Sequence, residues 1–146
     1  AKRSLFKIPF VGWGMWAVGD IGVTRGSGPS IARAMQSCSA YLQADVPLCI
    51  FPEGTRATGE TLLPFKDGAF RLAIENGADV LPLAVAGTQR GLPKHSWRFG
   101  RSHGIIKVGT PISTRGLQPA DVPQLSAQAR GQIEDMLRTI IPLTRA

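Results

Sequence analysis

The sequence has little cysteine and no long apolar run, and both absences narrow the class of protein. Its 146 residues include two cysteines, Cys38 and Cys49, which form no CxxC pair or other metal-ligand spacing. We therefore predict no metal site and no disulfide scaffold, and expect a reduced, cytosol-facing setting with both thiols in the core. No apolar stretch is long enough to span a bilayer, and the chain shows no signal-peptide pattern.

Basic residues outnumber acidic ones, which predicts an anionic partner. The chain has 17 Lys and Arg against 10 Asp and Glu, a formal charge of +7. Such a charge suits nucleic acid, an acidic membrane surface or a phosphorylated substrate. The sequence has no clustered basic helix and no motif rich in arginine and aromatic residues, so nucleic acid is disfavoured. The length suits one domain, residues 1–146.

Strand-like and helix-like segments alternate along the chain. Helical spacing of apolar residues predicts helices over 31–42, 67–76 and 122–140. Short apolar runs predict strands over 19–25, 47–51, 80–85 and 105–108, with Pro82 requiring an edge, a bulge or a strand start. This alternation predicts an α/β fold with a mixed, mostly parallel sheet flanked by helices.

The strongest candidate site follows the strand predicted over 47–51. Ligands of open α/β sheets collect beyond the carboxyl ends of strands, where Arg56 would present its fork of donors to a phosphate. Gly54 permits a sharp turn, Lys66 adds positive charge, and Glu53 either holds Arg56 or contacts a substrate hydroxyl. From spacing alone, a purely structural ion pair between Glu53 and Arg56 explains the pattern equally well.

Three segments resemble conserved blocks of the phospholipid/glycerol acyltransferase family. FPEGTR at 51–56, followed by LPFKDGAF at 63–70, resembles the third block. Residues 1–25 resemble the second block and residues 80–85 the fourth, in the family's order. The likeness runs from residue 1 to about residue 112, and FPEGTR is a specific signature by itself.

The resemblance implies acyl transfer from acyl-CoA or acyl carrier protein to 1-acyl-glycerol-3-phosphate, forming phosphatidate. It also implies no cofactor beyond the acyl thioester co-substrate, and association with the cytoplasmic face of a membrane. Thr24 departs from the family, which often has an acidic residue there, and Pro82 would support the acyl-donor region. The expected phosphate-binding residues are Lys2, Arg25, Glu53, Gly54, Thr55, Arg56 and Lys66.

The family's catalytic block, Asn-His followed by four residues and Asp, is absent from these 146 residues. Its His acts as general base and its Asp orients the imidazole. Gly100 stands where an Asp would follow His95, and Val108 where one would follow His103. We therefore expect surface histidines, no catalytic residue in this chain, and a domain lacking its N-terminal portion.

Alternatives remain open at this point. The acceptor could instead be glycerol-3-phosphate or another lysophospholipid, or the chain could be a non-catalytic phospholipid-binding domain. The basic stretch 90–101 is either a solvated loop or a contact for lipid head groups or an acyl-CoA phosphate. One aromatic-rich set is either a core edge or a membrane-docking surface beside Lys2, Arg3 and Lys7. It consists of Phe6, Phe10, Trp13, Met15 and Trp16.

Overall fold

A computed structural model describes residues 1–24, 26–55, 61–88, 91 and 100–144. The chain divides into two units, Ala1–Ile50 and Phe51–Ala146. In chain order, the helices and strands are α1 (Val11–Ala17), α2 (Gly28–Gln43), α3 (Gly68–Glu75), β1 (Leu83–Ala86), β2 (Ile105–Val108) and α4 (Val122–Ile140). Short 3₁₀ helices cover Arg3–Lys7, Pro119–Asp121 and Pro142–Thr144.

The first unit is built around α2. Its first turn contains Pro29, and the Ser27 hydroxyl accepts a hydrogen bond from the Ser30 backbone N–H at 3.4 Å, which caps the helix. Ala34 and Cys38, four residues apart, face the interior. The helix predicted over 31–42 is thus confirmed and begins three residues earlier.

In the second unit, β1 and β2 form a two-stranded antiparallel sheet. Leu83 pairs with Val108 and Ala86 with Ile105. The strand predicted over 80–85 is present as β1, which is shorter and begins directly after Pro82. Pro82 lacks an N–H for the ladder, so the strand-start alternative is the one that fits. Residues 105–108 form a strand over the predicted bounds.

The long helix α4 organises the core of the second unit. One cluster packs β1 against the end of α4, joining Ala84 and Ala86 with Met136 and Ile140. The other packs the start of α4 against α3, and its buried members are Phe70, Ile112, Val122, Leu125 and Ala129. The predicted apolar stripe of α4 is therefore confirmed, because residues spaced three or four apart along it supply both clusters.

Two strand predictions fail. Residues 47–51 form no strand, and Phe51 is 73% exposed, so the predicted buried strand is wrong. An apolar run fixes neither burial nor pairing, because a strand also needs a neighbour for its backbone groups. Of the strand predicted over 19–25, the described residues 19–24 show one parallel bridge, between Val23 and Lys2.

The mixed helix-and-sheet class is confirmed, while the described sheet itself is antiparallel. The mostly parallel arrangement and the single-domain organisation stay predictions. Among the residues described above, no helix combines the length and apolarity needed to cross a bilayer.

The core assignment makes a direct prediction at Leu125, which is 2% exposed. Leu125→Ala should lower the free energy of unfolding by about 2–5 kcal/mol, because it leaves a cavity between α3 and α4. Urea denaturation measures this loss. The matched control is Leu143→Ala, at a leucine that is 56% exposed. The control should cost no more than about 0.5 kcal/mol, and equal losses in both variants would contradict the assignment.

Candidate functional site

The segment from Phe51 to Lys66, called the signature segment or signature loop below, begins with a tight turn. The Gly54 N–H donates to the Phe51 carbonyl at 3.1 Å, and Gly54 has a φ of +69°, in the left-handed region that favours glycine. The Lys66 N–H donates to the Pro52 carbonyl at 2.9 Å, which returns the chain to the turn. This backbone hydrogen bond therefore brings Pro52 and Lys66, near the two ends of the segment, together.

Gly54 also leaves room for the Lys66 side chain. A Cβ atom at position 54 would lie 3.0 Å from the Lys66 Nζ and 3.1 Å from its Cε. The end of the Lys66 side chain thus lies beside the backbone of the turn, at an exposed position. The sequence predicted Gly54 and Lys66 as parts of one site, and the structure places them in contact distance of each other.

Glu53 is engaged by the backbone of the same segment. Its Oε2 accepts a hydrogen bond from the Leu63 N–H at 2.9 Å in a partly buried position. This hydrogen bond limits the distance between the turn at Gly54 and the stretch around Leu63, because it joins the two directly. The alternative ion-pair partner, Arg56, lies outside the described residues, and Thr55 follows the turn at an exposed position.

Arg130 of α4 also binds this segment, although the sequence did not predict a role for it. Its guanidinium donates to the carbonyls of Leu63 at 2.8 Å and Leu62 at 3.1 Å. It also pairs with Glu134 at 2.8 Å and lies 5.4 Å from the ring centroid of Phe65. The only signal in the sequence is the i,i+4 spacing of Arg130 and Glu134, which is common on solvated helices.

The remaining predicted site residues belong to the first unit. Lys2 is exposed, and its backbone bridges to Val23, with the Arg3 N–H donating to the Val23 carbonyl at 3.1 Å. Arg25 lies outside the described residues. The same unit contains a concavity of about 400 Å³ lined in part by Arg3, Asp20 and Arg33. The sequence did not predict it.

The described histidine and the two cysteines differ in their exposure. His103 is exposed, as predicted, and His95 lies outside the described residues, as does most of the basic stretch 90–101. Cys38 is buried, and burial raises the pKa of its thiol. Cys49 is exposed, so its predicted place in the core is wrong. Within the described ranges, no group of three or more potential ligands is arranged to hold a metal ion.

Comparison with known proteins identifies the class. The chain belongs to the acyltransferase family, because the family model described as Acyltransferase matches residues 1–86, a span that includes the turn at Gly54, the helix α3 and the strand β1.

The names of individual relatives are more specific than the name of the family. The chain is 33% identical over 141 residues to "1-acyl-sn-glycerol-3-phosphate acyltransferase alpha" of Ovis aries, covering 96% of this chain and 49% of that protein. It is 32% identical to "1-acyl-sn-glycerol-3-phosphate acyltransferase" of Haemophilus influenzae, covering 91% of this chain and 55% of that protein. The chain thus spans about half the length of these curated relatives.

The fold is also similar to a solved structure. The crystal structure of the 1-acyl-sn-glycerophosphate acyltransferase from Thermotoga maritima matches with a TM-score of 0.73 and 27% identity. The match covers 93% of this chain and 55% of that one. The family resemblance inferred from the three sequence blocks is confirmed.

The contact between Gly54 and Lys66 is testable by substitution. Gly54→Ala should lower the free energy of unfolding by about 1–2 kcal/mol because of the positive φ. Moving the flexible end of the Lys66 side chain should add no more than about 0.5 kcal/mol. Gly116→Ala is the matched control, because Gly116 has a φ of +79° and no atom lies within 4 Å of the place that an added Cβ would take. Urea denaturation of both variants measures the difference. If Gly116→Ala costs as much as Gly54→Ala, the contact with Lys66 contributes nothing.

Proposed function

We propose that the full-length protein transfers an acyl group to the free hydroxyl of 1-acyl-glycerol-3-phosphate and so forms phosphatidate. Family membership supports acyl transfer, and the names of the relatives supply the acceptor. The observation that carries the proposal is the turn at Gly54 with the Lys66 ammonium beside it, because this puts positive charge at the segment that resembles the family's third block. Glycerol-3-phosphate or another lysophospholipid is the alternative acceptor.

The acceptor phosphate is proposed to bind at this turn. Lys66 supplies a point charge there, and Thr55 and Arg56 follow directly in the sequence with further donors. Glu53 shapes the pocket through its bond to Leu63. Lys2 and Arg25, which belong to the family's second block, are likewise proposed as phosphate-binding residues of the full-length protein.

The proposed chemistry needs one general base. The base removes the proton of the acceptor hydroxyl, and the oxygen attacks the thioester carbonyl. The tetrahedral intermediate then collapses, the ester forms, and the C–S bond breaks to release the thiol with the transferred proton. We propose that this base is the His of an Asn-His-x4-Asp block, which these 146 residues do not contain. Acyl-CoA or acyl carrier protein is the proposed donor, with no further cofactor.

A non-catalytic phospholipid-binding domain is the second candidate, favoured by the lack of that block in the chain. An intact block elsewhere in the full-length protein would exclude it. We also propose that residues 1–146 belong to one domain, which the coverage of 93% of this chain by one solved structure supports. The proposal of a mostly parallel sheet rests on the alternation of strand-like and helix-like segments in the sequence.

An exposed aromatic surface of the first unit supports docking to a membrane. Phe10 and Trp16 are each 79% exposed, and Trp13 is 66% exposed with its ring 5.2 Å from that of Phe10. Aromatic rings of this kind partition into the lipid interface, and the basic residues of the neighbouring 3₁₀ helix Arg3–Lys7 suit anionic head groups. We propose that this surface contacts the cytoplasmic face of a membrane that holds the acceptor and the product.

Arg56→Ala in the full-length protein tests the phosphate site. The KM for lysophosphatidate should rise strongly, or turnover should be lost, because a donor fork for the phosphate is removed. Steady-state kinetics with both substrates varied separate this from an effect on the donor. Arg138→Ala is the matched control, since Arg138 makes an exposed pair with Asp135. Normal kinetics of Arg56→Ala would rule out the phosphate role.

The membrane surface has its own test. Replacing Trp13 and Trp16 by Ser should weaken binding of this chain to vesicles of phosphatidylcholine and phosphatidylglycerol in a sedimentation assay. Added salt should weaken binding further, because it screens the basic residues. The control replaces Ile106 and Val108, which are 67% and 60% exposed in the second unit, by Ser. Equal loss in both double variants would contradict the assignment of the docking surface.

A further inference from the structure

The second half of the signature segment, residues 62–66, has no regular secondary structure. Residues 62–66 form neither helix nor strand, so their backbone groups need partners from elsewhere. The Leu63 N–H bonds to Glu53 and the Lys66 N–H to Pro52. These two bonds join the segment to the turn, but they tie the loop only to itself. A further anchor is needed to fix the loop in the second unit.

Arg130 supplies that anchor through two adjacent carbonyls. Its Nη1 donates to Leu63 and its Nη2 to Leu62, while the Phe65 ring centroid lies 5.4 Å from the guanidinium carbon. Phe65 in turn stacks on Phe70 of the core, with ring centroids 6.1 Å apart. The planar fork matches two successive carbonyls in a way that a lysine ammonium cannot.

The helix that carries Arg130 is itself held firmly. The preceding residue, Ala129, is 2% exposed within the cluster that joins α3 and α4. The side chain of Arg130 is 32% exposed, and its Nε pairs with Glu134 at 2.8 Å. Glu134 therefore offsets the charge and orients the fork, so that the remaining donors point to the loop.

We propose that Arg130 is a positioning residue for the signature loop. By holding the Leu62 and Leu63 carbonyls on α4, it fixes the Leu63 N–H that binds Glu53 and the segment that returns Lys66 to Gly54. The Arg130 guanidinium is bonded to Glu134 and to two backbone carbonyls. Arg130 therefore affects acceptor binding through the loop and is not itself a ligand of the phosphate. This inference rests on the proposed function, because the loop is the proposed acceptor site.

Amide hydrogen exchange tests the anchor without reference to catalysis. In Arg130→Met, exchange at Leu63 and Lys66 should accelerate on the order of tenfold, because two charge-assisted bonds to the loop are lost. Arg138→Met is the control on the same helix and should leave both amides unchanged. Arg130→Lys should restore protection only in part, since a single ammonium cannot match both carbonyls. Unchanged exchange in Arg130→Met would overturn the proposal.

Kinetics of the full-length protein then test the link to the acceptor. Arg130→Met should raise the KM for lysophosphatidate severalfold and change the KM for the acyl donor little. If Arg130→Met fails to fold, Glu134→Gln is the second variant, because it removes the ion pair of Arg130 and keeps the arginine on the helix. It should raise the KM for lysophosphatidate more weakly and leave the KM for the acyl donor unchanged. Equal increases in both KM values, or none, would overturn the positioning role. A raised KM in Arg56→Ala alone would preserve the proposed function while rejecting this inference, whereas normal kinetics in Arg56→Ala would reject the proposed function itself.

Discussion

The two hydrogen bonds from the Arg130 guanidinium to the carbonyls of Leu62 and Leu63 connect the signature loop to the core. A loop without regular structure holds a charged side chain in place only when its backbone is bonded to something rigid. Here the rigid element is α4, which is packed at its start by the cluster around Phe70 and at its end by the cluster around Met136. The geometry at Gly54 therefore depends on a helix whose Arg130 lies 67 residues beyond Leu63 in the sequence.

The same arrangement gives a glutamate a structural role in a site proposed for phosphate. A carboxylate repels a phosphate, so positive charge has to outweigh it there. Glu53 accepts the Leu63 N–H, so one of its oxygens is bonded to the loop. Positive charge is supplied at the turn itself, where Gly54 leaves space for Lys66. The glutamate is thus a structural part of the loop, and the positive φ at position 54 favours glycine there.

The sequence predicted the parts of this structure that follow from local spacing. The helices around Cys38 and Leu125 were predictable because their apolar residues recur every three or four positions. The strand predicted over 47–51 is wrong, because an apolar run does not reveal whether a neighbouring strand is present, and Phe51 is largely exposed. The pattern of residues around the loop already grouped Gly54 and Lys66 in one candidate site, and the resemblance agreed with it. The role of Arg130 was not predictable, because its partners at Leu62 and Leu63 are backbone carbonyls distant in sequence.

The central claim is that the turn at Gly54 binds the acceptor's phosphate, and a titration of the isotope-labelled chain with glycerol-3-phosphate tests it most directly. Amide chemical shifts recorded by NMR should change at Gly54, Thr55 and Lys66 and remain constant in β2. A large excess of salt should reverse the changes, because the contact is between charges. Shift changes confined to the concavity beside Arg3 and Arg33, or no changes at saturating ligand, would contradict the account.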